Sequence, residues 1–325
     1  MEGMIGREFH SAEELVEIVG WNVRNALLGE VYATPKPGLV DRRDTGAHKD
    51  MTYETFLAST EAITPYLALM FRQGLLHQGV EELLFLNIRK TGIEAEKAMY
   101  AATGNVNTHK GMIFTMGILL AAAGLNAKEK SFDISEILET GRRMSARILE
   151  KDFEEMEKRE PKSHGEKLYR KYGERGIRGQ AIEGFPIIRD IGIPAMRKFM
   201  SISENMKLRS EIAETATLRT DLLEGEGSMR DEHYENAVNI STLIAIMSEL
   251  RDTNVLTRSS YEEMEWLRAE SAKILRLGAV FSEEGLSAIE ELNVKCIEKN
   301  ISPGGAADIL AVTILLLKLE GINYV

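Results

Sequence analysis

The segment "KGMIFTMGILLAAAG", residues 110 to 124, is apolar around almost its whole circumference when it is drawn as a helix. Such a helix is stable only when other elements surround it, so we predict that it forms the centre of the fold. Neighbouring segments carry apolar residues on one helical face, as in "SAEELVEIVGWNVRNALLGEVY", residues 11 to 32. The sequence shows no series of alternating strand patterns, and Pro and Gly cluster at the joints. We therefore predict an all-α protein of roughly ten helices.

The chain has 325 residues, which is enough for one large domain or for two ordinary ones. Because it contains no long Ser- or Gly-rich linker, we predict a single domain over residues 1 to 325, with two domains as the alternative. No apolar run reaches the roughly 18 residues of a membrane span. The start of the chain, "MEGMIGREFHSAEEL", lacks the basic and apolar blocks of a signal peptide. We expect a cytoplasmic protein with no membrane partner.

Charge and cysteine content exclude several classes of function. The net charge of −11 argues against a nucleic-acid binder, although a basic stretch at residues 162 to 178 leaves room for a small polyanionic ligand. Cys296 is the only cysteine, which excludes an intrachain disulfide and a cysteine-rich zinc site. Walker A, G-x-G-x-x-G, H-E-x-x-H and G-x-S-x-G sequences are absent. Any phosphate chemistry must therefore use helix N-termini and separate basic residues.

The first stretch with candidate chemistry is "ATPKPGLVDRRDTGAHKDM", residues 33 to 51. Two prolines bracket Lys36 and stiffen the loop that holds it. The stretch then mixes acids and bases, which suits a metal–phosphate site: bases bind phosphate and Asp41 or Asp50 bind Mg²⁺. The candidate phosphate-binding bases are Lys36, Arg42, His48 and Lys49. The alternative is a surface loop whose charges neutralise one another.

The second stretch is "NTHKG", residues 107 to 111. Asn107 or Thr108 can cap the apolar helix that follows, which places His109 and Lys110 beside its free N–H groups. A lysine is unfavourable at a helix N-terminus unless an anion is present, so we expect an anionic ligand there. The alternative is a plain N-cap with an incidental histidine.

The third stretch is "SPGGAAD", residues 302 to 308. Ser302 fits the N-cap of a helix. Gly304 and Gly305 then reduce helix stability by roughly 1 kcal/mol each relative to Ala. They permit a close approach to the backbone, either by a ligand or by another helix. Asp308 lies one turn further and is expected to reach the same place.

These stretches, together with "HGE", "GIRG" and "GFP" between residues 164 and 186 and "DTN" at residues 252 to 254, occur in an order that resembles the triphosphoribosyl-dephospho-CoA synthase family. The resemblance spans about residues 30 to 315. It implies an all-helical enzyme that converts ATP and 3′-dephospho-CoA into adenine and triphosphoribosyl-dephospho-CoA. The product is the precursor of the prosthetic group on acyl carrier subunits of citrate lyase or malonate decarboxylase.

The implied reaction breaks the N-glycosidic bond of ATP through an oxocarbenium-like transition state, which a nearby carboxylate stabilises. The triphosphate stays intact, and Mg²⁺ with basic residues would hold it. The candidate catalytic residues are Asp50, His109 and Glu166. The candidates for phosphate or nucleotide binding are Lys36, Arg42, His48, Lys49, Asn107, Lys110, Arg178, Ser302, Gly304 and Gly305. The candidate Mg²⁺ ligands are Asp41, Asp50 and Asp308.

The chain departs from the family pattern at two places. "VLTRSS", residues 255 to 260, stands where a His-Arg-Gly-Gly-like run is expected, and Gln180 stands where Glu is expected. An amide cannot act as a base, so the acceptor is open. The alternatives are a ribosyl transferase or N-glycosidic-bond hydrolase with another acceptor, and a non-catalytic nucleotide-binding protein. A homo-oligomer is compatible with the sequence.

Overall fold

The computed structural model describes residues 11–129, 131–217 and 226–322. This part of the chain contains thirteen α-helices and no strands. The helices are α1 (Ala12–Tyr32), α2 (Tyr53–Leu76), α3 (Glu81–Ala102), α4 (Lys110–Asn126), α5 (Ile134–Glu157), α6 (His164–Tyr172), α7 (Gly176–Ile182), α8 (Ile193–Thr217), α9 (Glu226–Glu249), α10 (Thr253–Arg258), α11 (Tyr261–Arg276), α12 (Glu283–Glu298) and α13 (Gly304–Glu320). The all-α prediction is confirmed. The count exceeds ten because α6, α7 and α10 are only 9, 7 and 6 residues long, too short to show a clear apolar period.

Helix α4 lies at the centre of the fold, as its sequence predicts. Every residue from 115 to 124 is buried, and the helix contacts α2, α3, α5 and α13. A second apolar helix, α13, has residues 309 to 316 buried and packs against α1, α4 and α9. Because α1 near the start of the chain packs against α13 near its end, the described helices form a single domain. The outer limits of that domain, 1 and 325, stay a prediction.

One segment, Lys110–Glu129, has the length and hydropathy of a membrane-crossing helix. The expectation that no segment reaches this length is therefore corrected. However, 72% of its most apolar window is buried inside the protein, as in the core helix of a soluble protein. The stretch used to exclude a signal peptide falls mainly in residues 1–10, outside the described residues.

The first turns of α4 and α13 meet at one end of the core. A Cβ atom added to Gly111 in α4 would lie 2.3 Å from Oδ2 of Asp308 in α13, so glycine is required for this contact. The short helix α10 begins beside the same point, because Asp252 at its N-cap also bonds to the first turn of α13. Three helix N-termini therefore converge on one region of the protein.

Candidate functional site

A cavity of about 700 Å³ opens where the N-termini of α4, α10 and α13 converge. The loop after α1 and the first turn of α2 form one wall, and α7 with the loop before it forms another. Nine residues predicted from the sequence line this cavity together, although they come from three distant stretches. They are Lys36, His48, Asp50, Asn107, His109, Ser302, Gly304, Gly305 and Asp308.

Lys36 forms a buried ion pair with Glu30 of α1 in the cavity wall. The Lys36 Nζ to Glu30 Oε1 distance is 2.6 Å, and the two side chains are 3% and 2% exposed. Nζ also donates to the backbone carbonyl of Glu30 at 3.0 Å. Sequence reasoning overlooked Glu30, although a single acid on the apolar face of α1 was a usable signal. The pair holds the proline-bracketed loop against α1.

His109 is 1% exposed and stands directly before α4. Its Nδ1 lies 2.6 Å from Ser59 Oγ, and its ring meets Phe56 edge to face at 5.2 Å between centroids. Burial, with a contribution from the charge of Lys36, lowers the pKa of His109 to about 3. The ring is therefore neutral at physiological pH. Its Nε2 is buried and has no partner among the described residues.

His48 connects the first and third sequence stretches. Its Nε2 lies 2.7 Å from Ser302 Oγ, and its Nδ1 lies 3.3 Å from a guanidinium nitrogen of Arg258. Burial and the charge of Arg258 lower the pKa of His48 to about 4, so this ring is also neutral. Arg258 is fixed further by Asn300 Oδ1 at 3.0 Å and places a positive charge in the cavity wall. Sequence reasoning did not select Arg258.

Asp252 explains Gly305, the second of the paired glycines at the start of α13. One carboxylate oxygen accepts from the N–H of Asn254 at 2.8 Å and the other from the N–H of Ala306 at 3.0 Å. A Cβ atom on Gly305 would lie 2.9 Å from the Asp252 carboxylate, which leaves no room for a side chain. Burial raises the pKa of Asp252 to about 6, against the effect of these backbone donors. The close approach predicted for this stretch is thus made by the chain itself.

Asp308 lines the cavity from a position one turn into α13. It is partly exposed to the cavity and has no hydrogen-bond partner among the described residues. Burial, followed by the charges of Glu30 and Asp252, raises its pKa well above the usual range. Glu30 and Asp252 therefore both lie within electrostatic reach of Asp308, and Lys36 pairs only with Glu30.

Three predicted residues of the first stretch, Asp41, Arg42 and Lys49, lie outside the cavity lining. Asp41 is buried and accepts from the backbone N–H groups of Lys36, Arg43 and Asp44, at 3.0, 2.7 and 3.1 Å. Because its oxygens already accept from three backbone N–H groups of the loop, Asp41 is poorly placed to bind a metal ion. Arg42 pairs with Glu232 at 2.6 Å and stacks over a tyrosine ring instead of facing the cavity.

Three predicted bases also point elsewhere. Lys110 is half-exposed and pairs with Glu96 of α3 at 2.7 Å, so the anion expected at this helix terminus is supplied by the chain. The predicted cap Asn107 does bind the start of α4, because its Oδ1 accepts from the N–H of Lys110 at 3.3 Å. The N-cap position itself is His109, two residues later. Lys49 and Arg178 are exposed and do not line the cavity.

Glu166 lies in the first turn of α6, whose N-cap is Ser163, and is outside the cavity lining. It forms a two-pronged pair with Arg159, 2.9 Å at each oxygen, and accepts from the N–H of Lys162. These bonds lower its pKa to about 2, which makes it a weak base. We expect Glu166→Gln to keep turnover within about twofold of wild type. A steady-state assay checks this, and a hundredfold loss would return Glu166 to the catalytic set.

Comparison with known proteins leads to the same family as the resemblance of the sequence. The family model described as CitG, ATP:dephospho-CoA triphosphoribosyl transferase, matches residues 17–220 and 215–324. The chain belongs to this family. The prediction of the family is confirmed, and with it the prediction of a transferase enzyme.

Relatives in several bacteria carry the name "Probable 2-(5''-triphosphoribosyl)-3'-dephosphocoenzyme-A synthase". The protein of Malonomonas rubra is 33% identical over 314 residues, which cover 94% of this chain and 90% of the relative. That of Vibrio cholerae serotype O1 (strain M66-2) is 33% identical over 307 residues, covering 94% and 89%. That of Streptococcus equi subsp. equi is 34% identical over 311 residues, covering 91% and 94%. No solved structure matches the chain.

The departures from the transferase family pattern have local structural explanations. Ser260 is the N-cap of α11 and accepts from the N–H of Glu263 at 3.2 Å, and Ser259 has a φ of −136°, which does not require glycine. Thr257 lines the cavity but donates its hydroxyl to the carbonyl of Thr253. Gln180 also lines the cavity, and its Oε1 accepts from a backbone N–H at 3.1 Å, a bond that glutamate would also accept.

The described residues contain no group of three or more His, Cys, Asp or Glu side chains arranged to hold a metal ion. The three predicted Mg²⁺ ligands do not form a common coordination sphere there, because Asp41 is occupied by backbone donors while Asp50 and Asp308 line the cavity.

Proposed function

We propose that the cavity is the active site of a triphosphoribosyl transfer, in which the 5-triphosphoribosyl group of ATP moves to 3′-dephospho-CoA and adenine leaves. The product would be the prosthetic-group precursor for the acyl carrier protein of citrate lyase or malonate decarboxylase. The observation that carries the proposal is the convergence of the three family-like stretches, with nine of their predicted site residues, on one cavity. We further propose a cytoplasmic location, where both substrates occur.

The acids of the cavity suit the charge that develops in this reaction. Breaking the N-glycosidic bond produces an oxocarbenium-like transition state with positive charge near C1′. Glu30, Asp252 and Asp308 supply negative potential from a largely buried position, where charge is screened little by water. Burial raises the pKa of Asp252 and Asp308, so the ionised form of these two carboxyls would stabilise positive charge at C1′, whereas Lys36 already neutralises Glu30.

Asp308 is our candidate for the carboxylate nearest the reacting carbon. It faces the cavity, lacks a partner among the described residues and has a raised pKa, which suits acceptance of the proton from the attacking hydroxyl. Asp50 stays a second candidate at the rim, where its side chain is 65% exposed. Glu166 is left out of this proposal because its carboxylate is occupied by Arg159.

Arginines at the cavity wall are our candidates for holding phosphates. Arg258, Arg175 and Arg251 line the cavity, and Arg258 is fixed against His48. His48, Asn107 and Ser302 stay proposed nucleotide contacts. Arg178, Lys49, Lys110 and Arg42 would need to move to reach the cavity, so we give them no direct role.

Mg²⁺ is proposed as a companion of the triphosphate. Mg²⁺ is commonly bound through one or two carboxylates together with substrate phosphates, so a cluster of three protein ligands is not required. Asp308 and Asp50 have carboxylate oxygens directed at the cavity and fit this requirement, whereas Asp41 does not. When bound, the ion would offset the negative charge of the triphosphate.

The function is tested by incubating the purified protein with ATP, Mg²⁺ and 3′-dephospho-CoA, then measuring adenine by chromatography and the coupled product by mass spectrometry. Equal amounts of adenine and coupled product support the proposal. Adenine without coupled product, or with water as acceptor, supports a hydrolase or a transferase with another acceptor. ATP binding without adenine release would mean a non-catalytic nucleotide-binding protein. A sizing measurement in the same buffer tests the prediction of a homo-oligomer.

A further inference from the structure

Ser59 makes an unusual contact for a buried serine inside a helix. It is 0% exposed, and its Oγ lies 2.7 Å from Thr108 Oγ1 and 2.6 Å from His109 Nδ1. Other buried serines in helices, Ser145 and Ser271, donate to the carbonyl four residues earlier. Ser59 instead directs its hydroxyl at two residues of the cavity wall, 49 and 50 positions away in the chain.

The direction of these hydrogen bonds fixes the proton on the imidazole. The geometry admits Thr108 as donor to Ser59, so the Ser59 proton is not used on Thr108. A hydroxyl carries one proton, and in a buried position that proton needs an acceptor. His109 Nδ1 is the acceptor within reach at 2.6 Å. With Nδ1 accepting, the neutral ring carries its proton on Nε2.

The Nε2 atom of His109 needs a partner that the chain does not provide. It is buried, is without a hydrogen-bond partner among the described residues, and belongs to a residue that lines the cavity. Leaving a buried donor unsatisfied costs roughly 1–3 kcal/mol, which a bound acceptor would recover. Phe56, whose ring meets that of His109 at 5.2 Å between centroids, lines the cavity together with Met51 and Met112, and these apolar side chains suit a flat aromatic ligand.

We propose that Ser59 and Thr108 are positioning residues that hold His109 as the Nε2–H tautomer, and that this N–H donates to a ring nitrogen of the adenine of ATP. The inference rests on the proposed function for the identity of the base. Purine ring nitrogens accept hydrogen bonds, and a donor to them stabilises the base as it departs with the bonding electrons. The low pKa of His109 means that it acts as a neutral donor and not as an imidazolium acid.

The tautomer is tested by ¹⁵N NMR of the histidine-labelled protein, with the His109 signals assigned by their loss in His109→Gln. We expect a protonated Nε2 and an unprotonated Nδ1 in wild type. Ser59→Ala and Thr108→Val should shift this balance toward protonated Nδ1. Ser145→Ala, which removes an equally buried hydroxyl bonded to a carbonyl, should leave it unchanged. A wild-type ring protonated on Nδ1 would overturn the proposal.

The ligand is tested by titrating the labelled protein with adenine and, separately, with inorganic triphosphate. Adenine should shift the His109 Nε2 signal, and triphosphate should leave it in place. A shift with triphosphate alone would mean that the donor serves a phosphate oxygen and would overturn the adenine assignment. If adenine shifts the signal but the enzyme releases no adenine from ATP, the proposed function fails while this binding inference stands.

Kinetics distinguish a neutral donor from a general acid. The amide of His109→Gln keeps an N–H donor without acid–base chemistry, so we expect it to retain about tenfold more turnover than His109→Leu, which should lose about 100-fold. Ser59→Ala should lower kcat about tenfold, with KM for ATP changed less than twofold. Equal losses in the Gln and Leu variants would contradict the donor role.

Discussion

Replacing Asp308 by Asn will lower kcat about 100-fold or more while leaving the folded protein at least as stable as wild type. The carboxylate is crowded by two other acids in a buried position, and the amide has nearly the same size without the charge. The substitution therefore removes a carboxyl that is costly to ionise in the folded state, and with it the carboxylate that would stabilise the cationic transition state. Turnover in the coupled assay and urea unfolding at neutral pH measure the two effects on one preparation.

Asp50→Asn is the matched control for this prediction. Asp50 also lines the cavity, but its side chain is 65% exposed, so the same change should alter both turnover and stability less. If Asp308→Asn instead lowers the free energy of unfolding by several kcal/mol, Asp308 is a structural residue. If it turns over at the wild-type rate, the reacting centre lies elsewhere in the cavity.

Lys36→Met will lower the free energy of unfolding by about 3–5 kcal/mol, because it leaves Glu30 charged and buried without its partner. The double variant Glu30→Gln with Lys36→Met should recover most of this loss, since neither side chain then carries a charge. Urea unfolding of the single and double variants measures the difference. A double variant as unstable as the single one would show that packing, and not the unpaired charge, dominates.

Arg43→Met gives the control for the ion pair. Arg43 lies in the same loop and pairs with Glu290, but the two side chains are 46% and 42% exposed. Exposed pairs contribute about 0–1 kcal/mol, so this variant should stay close to wild type. A loss comparable to that of Lys36→Met would mean that any change in the loop destabilises the fold.

The centre of the fold was predictable because α4 is apolar on all sides, which only a surrounded helix tolerates. The convergence of the three stretches was predictable from their family-like motifs. The direction in which each side chain points was not predictable. In the two His-Lys pairs, His48 and His109 line the cavity, whereas Lys49 and Lys110 do not. Adjacent residues point in different directions, and a motif does not state which of them faces inward.

Residues whose role depends on a contact with a distant part of the chain could not be predicted from the sequence either. Ser59 meets His109 across 50 positions, and Arg258 meets His48 across 210. Their spacing along the chain carries no signal of these contacts. The sequence correctly predicts that Lys110, at the start of α4, needs an anion. In the folded chain that anion is the Glu96 carboxylate of α3.

The charge of the cavity lining has a consequence for the rate at which substrates enter. Among the described lining residues there are seven acids (Glu30, Asp50, Glu174, Glu183, Glu249, Asp252 and Asp308) and four bases (Lys36, Arg175, Arg251 and Arg258). Burial raises the pKa of Asp252 and Asp308, and five acids against four bases are left when both are protonated. Both lining histidines are neutral, and the whole chain carries a net charge of −11. Polyanionic substrates therefore meet long-range repulsion, which salt screens over about 10 Å at 0.1 M. Association of free ATP should accelerate with ionic strength, the reverse of electrostatic steering.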